Sequence, residues 1–250
     1  PVHDPLFRLR SARVGSWERR EKWSVIEIAS ACGSSLLHAS ERDTLLATSY
    51  GVGELIQYVA GTGCSTAVLG LGGCIASDGG MGMAQALGAR FLDAENCELK
   101  PERNGGFNAL SLHLIDGIDL EQFARQVRDV NFVIAADVDT PLLGPEGQAR
   151  TFGPQKGATA RDIDELERGL GNWNRVLGKT FGRDFDVPYA GAAGGLGAGL
   201  SAFLDARLCA GMDVFVEHAR FKDQLAWADV VVTGEGKLDE TTKLGKAPQV

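Results

Sequence analysis

Short apolar runs alternating with stretches of helical spacing constrain this chain more than any other feature. Trp23 to Ala29 (WSVIEIA) is β-branched and apolar around one glutamate and predicts a strand, and Ser49 to Ala60 follows with helical spacing through Leu55, Ile56 and Val59. Thr66 to Leu71 (TAVLGL) predicts a buried parallel strand ending in glycines, after which Asp78 opens a helix through Met81, Gln85 and Leu87. Phe132 to Ala136 is another apolar run; it stops at Asp137 and leads into a Pro/Gly loop as far as Gly157. From Thr159 a helix is signalled by a capping box with Asp162 and by the apolar stripe Ile163, Leu166, Leu170, Trp173 and Leu177. Gly191 to Gly199 leads into a small-residue helix, Met212 to Val216 predicts a strand, Glu217 to Ala228 an amphipathic helix, and Asp229 to Val232 a last buried strand. The alternation predicts an α/β fold with a mainly parallel or mixed sheet covered by helices. Loops that follow such strands gather at one sheet edge, where open α/β sheets bind ligands.

A chain of 250 residues with a net charge of −8 has length for a real core but lacks the cationic footprint that nucleic acid or an anionic membrane requires. Its apolar runs fall short of the roughly 18 residues of a membrane span. Cys32, Cys64, Cys74, Cys97 and Cys209 show neither a CxxC pair nor histidines at ligand spacing, so free buried thiols in a reducing, cytoplasmic setting are expected. The charge run Glu18 to Lys22 (ERREK) reads as a solvated turn. The chain starts at Pro1 and stops at Val250 soon after a helix begins, which suggests a fragment.

Glycine is nearly twice as frequent as usual, at 33 residues, and it is clustered, which marks backbone that something approaches closely. In Leu69 to Gly82 (LGLGGCIASDGGMG), Gly72, Gly73, Gly79 and Gly80 surround Asp78 at a strand-to-helix turn that suits an anion. An aspartate beside a phosphate is repelled unless a cation or a transferable proton lies between them, so Asp78 is a candidate Mg²⁺ ligand or hydroxyl-proton acceptor. Helix capping is the plainer reading. Asp137 and Asp139 alternate onto one side of extended chain, suiting a hydrated Mg²⁺ or a polyhydroxy substrate, although a turn before Thr140-Pro141 explains Asp139 equally well. Lys156, in TFGPQKGA, is framed by glycine and proline and can neutralise a phosphate, or simply be solvated. In Val230 to Pro248 (VVVTGEGKLDETTKLGKAP), Thr233, Gly234, Glu235, Gly236, Lys237, Asp239 and Lys246 combine carboxylates, lysines and glycines as phosphoryl transfer demands. The chain contains neither a GxxxxGK[ST] motif nor a GxGxxG following a strand, and its histidines and serines lack a triad-like context.

Taken in order, these segments resemble the class I (bacterial-type) glycerate kinases. The resemblance is carried by Glu27 to Gly33 (EIASACG), Thr48 to Ile56 (TSYGVGELI), Leu69 to Leu87 (LGLGGCIASDGGMGMAQAL), Ala136 to Pro145 (ADVDTPLLGP), Thr151 to Thr159 (TFGPQKGAT), Gly191 to Leu200 (GAAGGLGAGL) and Val232 to Pro248 (VTGEGKLDETTKLGKAP). It implies phosphorylation of D-glycerate by ATP with Mg²⁺, giving 2-phosphoglycerate or 3-phosphoglycerate, in a cleft between two α/β domains. On that template residues 1–228 form the central domain and residues 229–250 begin a return into a second. Asp78, Asp137, Asp139, Lys156, Gly194, Gly195 and the stretch from Glu235 to Lys246 become cleft candidates, with Asp78, Asp137 and Asp239 as metal ligands. Asp78 or Asp239 would accept the hydroxyl proton. The chain departs from the family pattern at Cys74-Ile75, where small polar residues are usual, and in lacking the flanking segments. A non-catalytic fragment or binding module of the same fold is therefore the alternative.

Overall fold

The computed structural model describes residues 1–18, 21–101, 105–218 and 221–232. In chain order, β1 (Val2–His3) and β2 (Leu9–Arg10) form a small ribbon, and β3 (Gly15–Glu18) turns back antiparallel onto β4 (Lys22–Glu27). Helices α1 (Ala29–Cys32) and α2 (Tyr50–Gly61) lead to β5 (Thr66–Leu71), and α3 (Met81–Ala86) to a second ribbon, β6 (Arg90–Leu92) with β7 (Gly117–Asp119). After β8 (Asn131–Ala136) come α4 (Gln148–Phe152), α5 (Ala160–Phe181), α6 (Ala192–Leu204), β9 (Arg207–Ala210), α7 (Gly211–His218) and α8 (Phe221–Leu225). The central sheet has the order β3-β4-β5-β8-β9, and every pairing except the first is parallel.

Register explains how the sheet divides its two faces. Ile26, Leu69 and Ile134 stand in line across it, as do Val25, Val68 and Val133 one residue earlier. Side chains alternate along a strand, so the first row enters the main core and the second row faces the other way. There Val68 and Val133 meet Val214 of α7, while Val25 stays 38% exposed. Trp173 is fully buried on the α5 stripe with Leu166, Leu170 and Leu177, each such side chain contributing about 1.5–3 kcal/mol. The capping box forms as read: Thr159 N–H donates to Asp162 Oδ2 at 2.8 Å, and Asp162 N–H donates to Thr159 Oγ1 at 3.3 Å.

Several expectations are corrected. Met212 to Val216 lies within helix α7, and the strand beside β8 is Arg207–Ala210. The apolar content of the Met212 segment serves a helix whose Val214 covers the second sheet face, a tertiary demand that outweighs β propensity. The helix expected over residues 217–228 is reduced to Phe221–Leu225 after the end of α7. Asp229 to Val232 is neither a strand nor buried, with Val230 79% and Val232 92% exposed, because among the described residues no neighbouring strand pairs with it. The loop before Gly157 contains α4 and a 3₁₀ turn at Pro154–Lys156, both too short for hydrophobic periodicity to reveal. Lys22, read as part of a turn, opens β4 opposite Glu18. All five thiols are free, but Cys97 is exposed and Cys209 half-buried. Among the described residues no helix is long and apolar enough to cross a membrane.

Candidate functional site

Strands β5 and β8 end side by side at Leu71 and Ala136, and the loops that leave them open into a cleft of about 580 Å³. That volume suits a small-molecule site. The cleft gathers Gly72 and Gly73 after β5, Asp137 after β8, Lys156 from the 3₁₀ turn and Gly194 from the start of α6. Four separated segments of sequence are thus brought together at the carboxyl edge of the sheet.

The glycines divide by task. Gly72 and Gly73 are exposed, and neither donates its N–H to a protein acceptor among the described residues. A Cβ on Gly72 would meet open space. These two amides are available to a ligand oxygen. Gly79, Gly80, Gly194 and Gly195 are buried, and a Cβ on them would run into Trp173, Leu196, the Ala76 carbonyl and Leu142 respectively. Gly79 N–H donates to Gly194 O at 3.1 Å, and a Cβ on Gly194 would fall 1.9 Å from Ala76 O. Gly194 also has φ of +77°, which L side chains rarely adopt. Gly72, Gly73 and Gly194 thus line the cleft, whereas Gly79, Gly80 and Gly195 lie behind it and let α6 approach the turn.

Asp78 is 1% exposed and does not line the cleft. Its Oδ2 accepts from Ser49 N–H at 2.8 Å, Ser49 Oγ at 2.8 Å and Gly82 N–H at 3.2 Å, while Oδ1 accepts from Gly80 N–H at 3.1 Å. Burial pushes its carboxyl above the usual range, against the downward pull of these hydrogen bonds. Both oxygens are committed to protein donors, so the geometry is that of a clamp joining the starts of α2 and α3. Buried behind the cleft wall with four protein donors, Asp78 is placed as a structural group, and the expected Mg²⁺-ligand or proton-acceptor role gains no support from this geometry.

Lys156 is half-buried and reaches inward, donating to Ala76 O at 2.8 Å and Ser77 Oγ at 3.2 Å. Pro154 and Gly157 shape the turn that presents it, Gly157 N–H closing onto Pro154 O at 3.1 Å. An ammonium has three donors, and the third remains for the cleft. Burial holds its pKa below the usual lysine value, while Cys74, Cys32 and Asp78 act in the opposite direction. Ser77 anchors this arrangement: its Oγ lies 2.7 Å from Thr44 Oγ1 and accepts from Gln148 Nε2 at 2.7 Å.

Arg42 also lines the cleft, and sequence reasoning missed it. Its neighbour Glu41 pairs with Arg8 at 2.7 Å, whereas the Arg42 guanidinium has no hydrogen bond or ion pair among the described residues. The available signal was the capped 3₁₀ turn at Ala39–Glu41, in which Glu41 Oε2 accepts from His38 N–H at 2.9 Å. Asp139 is exposed but lies off the cleft, its backbone carbonyl accepting from Tyr189 N–H at 3.2 Å. Among the described residues no three His, Cys, Asp or Glu side chains converge on a metal position. Asp137 can still support Mg²⁺ in the manner usual for phosphoryl transfer, where one or two carboxylates act with phosphates and water. Thr233, Gly234, Glu235, Gly236, Lys237, Asp239 and Lys246 lie outside the described residues.

Fold and cleft together define an α/β protein whose site offers free backbone amides and two cations at the ends of parallel strands. The glycerate kinase family model matches residues 1–250, and the chain belongs to that family. It is 40% identical over 228 residues to the glycerate 2-kinase of Escherichia coli (strain K12), an alignment covering 91% of this chain and 58% of that protein. It is 41% identical over 248 residues to the glycerate kinase of Halalkalibacterium halodurans, covering 99% of this chain and 63% of the relative. The crystal structure of a Salmonella typhimurium LT2 protein provisionally assigned as glycerate kinase 2 superposes with a TM-score of 0.79 at 33% identity, over 92% of this chain and 65% of that one. The chain thus spans about three fifths of the length of these relatives.

Proposed function

We propose that the protein transfers the γ-phosphoryl group of ATP to D-glycerate with Mg²⁺, giving 2-phosphoglycerate in the cytoplasm. The observation that carries this reading is the convergence of Lys156, Arg42 and the free amides of Gly72 and Gly73 on one cleft in a chain of the glycerate kinase family. The name of the E. coli relative, glycerate 2-kinase, favours the 2-phosphate over the 3-phosphate. Phosphoryl transfer asks a protein chiefly for positioning and charge neutralisation. Lys156 and Arg42 offset phosphate charge, the two glycine amides hold phosphate oxygens, and Asp137 would hold a hydrated cation through its carboxylate. Mg²⁺, when bound, supplies further neutralisation of the transferring group. Asp78 holds the turn, which leaves Asp239 as the candidate acceptor of the glycerate hydroxyl proton. Thr233 to Lys237 and Lys246 are retained as ligand contacts, and residues 229–250 as the start of a second domain.

ADP release with ATP and Mg²⁺ across a panel of small hydroxy acids, with the product identified by phosphorus NMR, tests this reading. A rate with D-glycerate no greater than without acceptor overturns it, and glycerate binding by calorimetry without ADP release makes the protein a binding module. Arg42→Ala is expected to raise the KM for ATP about tenfold, the loss of roughly 1.4 kcal/mol from one charge-assisted contact, with kcat little changed.

A further inference from the structure

Cys32 ends α1, and Cys74 lies in the turn after β5. Backbone bonds hold the two segments face to face: Ile75 N–H donates to Cys32 O at 3.0 Å, Ser34 N–H donates to Gly73 O at 2.9 Å, and Gly33 pairs with Cys74 in an antiparallel bridge. Within this frame the two Sγ atoms are 3.0 Å apart, about 1 Å beyond disulfide bond length. Cys74 lines the cleft at 7% exposure, whereas Cys32 lies behind it at 0%. A small solute in the cleft therefore reaches one sulfur before the other.

We propose that Cys74 and Cys32 are a peroxide-oxidisable dithiol in the cleft wall, Cys74 reacting first and Cys32 resolving. The electrostatics agree with that order. The hydrogen bond from Cys32 lowers the Cys74 pKa, with the charge of Lys156 acting in the same direction, while the same bond and then burial raise that of Cys32. Cys74 first ionises, releasing its proton; the thiolate then attacks hydrogen peroxide, forming an S–O bond as the O–O bond breaks, and the departing hydroxide combines with the released proton as water. Cys32 sulfur then attacks the sulfenic sulfur, forming the S–S bond and expelling hydroxide, which leaves as water with the Cys32 proton. Two thiols and one peroxide give one disulfide and two waters.

Closing the bond draws the Gly72 to Cys74 turn toward α1 and shifts the amides of Gly72 and Gly73. This consequence rests on the kinase reading. A displacement near 1 Å at a positioning group costs on the order of 100-fold in rate. The expected result is a 10- to 100-fold fall in turnover, restored by dithiothreitol.

The test treats the whole protein, carrying Cys97→Ser to remove the exposed thiol, with hydrogen peroxide, then alkylates, digests and maps it by mass spectrometry. A peptide pair joined through Cys32 and Cys74 is expected, as is a sulfenic acid trapped by dimedone on Cys74 in a Cys32→Ser protein. If both cysteines remain alkylatable at a peroxide dose that oxidises Cys97 in the parent protein, the proposal fails. The map of the Cys97→Ser protein decides this even if Cys32→Ser does not fold. A mapped disulfide with unchanged turnover overturns the effect on the cleft. Absence of ADP release from the reduced protein sinks the kinase reading instead, and leaves the map to judge the dithiol.

Discussion

Lys156→Met is expected to slow phosphoryl transfer by roughly 100- to 1,000-fold, the usual cost of removing one preorganised donor to developing charge. Melting should shift little, because methionine keeps most of the stem and only the contacts to Ala76 O and Ser77 Oγ are lost. Steady-state rates beside a thermal melt check this; a variant that keeps more than about half of the wild-type rate removes Lys156 from the mechanism. The pH dependence provides a second arm. Burial holds the folded-state pKa below the ordinary value of 10.5. The charged form, and the rate that needs it, is therefore lost on the alkaline side before 10.5. The same shift means that the buried charge costs stability below the folded pKa, and that this cost is relieved as pH rises toward 10.5. The alkaline fall in rate should therefore come without any loss of stability from this group, since its deprotonation relieves the cost of the buried charge. Lys156→Arg, if active, should move that limb upward, since a guanidinium keeps its charge.

Asp78→Ala should act in the opposite way, through stability. It would leave the N–H groups of Ser49, Gly80 and Gly82 and the hydroxyl of Ser49 without their acceptor in a buried position. The cost is roughly 3 kcal/mol, or a fall in Tm of about 10 °C for a chain of this size. Asp239→Asn is expected to lower turnover with little change in Tm. A normal melt with abolished turnover for Asp78→Asn would return the proton-acceptor role to Asp78.

Much of the fold is legible in the sequence. Thr66 to Leu71 emerges as β5 because a six-residue run apolar on both faces has few places to go except the middle of a sheet. Thr159 with Asp162 marked the start of α5 because a capping box is a local hydrogen-bond arrangement written in adjacent residues. The edge elements were not legible in this way. Gly15–Glu18 joins the sheet as an exposed antiparallel edge with little apolar pattern, and Met212 to Val216 folds as a helix because the second face of the sheet needed a cover.

The candidate site shows the same division. Covalent order alone marks the candidate loops, since the glycines and acids of Gly72 to Gly80 and Asp137 to Asp139 stand directly after apolar runs. Which of those groups line the cleft is set by the tertiary fold. Gly72 and Gly79 are equivalent as letters, yet one opens to the cleft while the other packs under Trp173, whose Nε1–H donates to its carbonyl at 2.9 Å. Asp78 and Asp137 likewise look alike in sequence, and burial commits the first to four protein donors and leaves the second exposed at the cleft. Arg42 and the Cys32–Cys74 pair lie far from their cleft neighbours along the chain and come together only through the parallel crossovers. The physical reason is that hydrogen-bond satisfaction and burial are properties of neighbours in space, and for a parallel sheet those neighbours are distant in sequence.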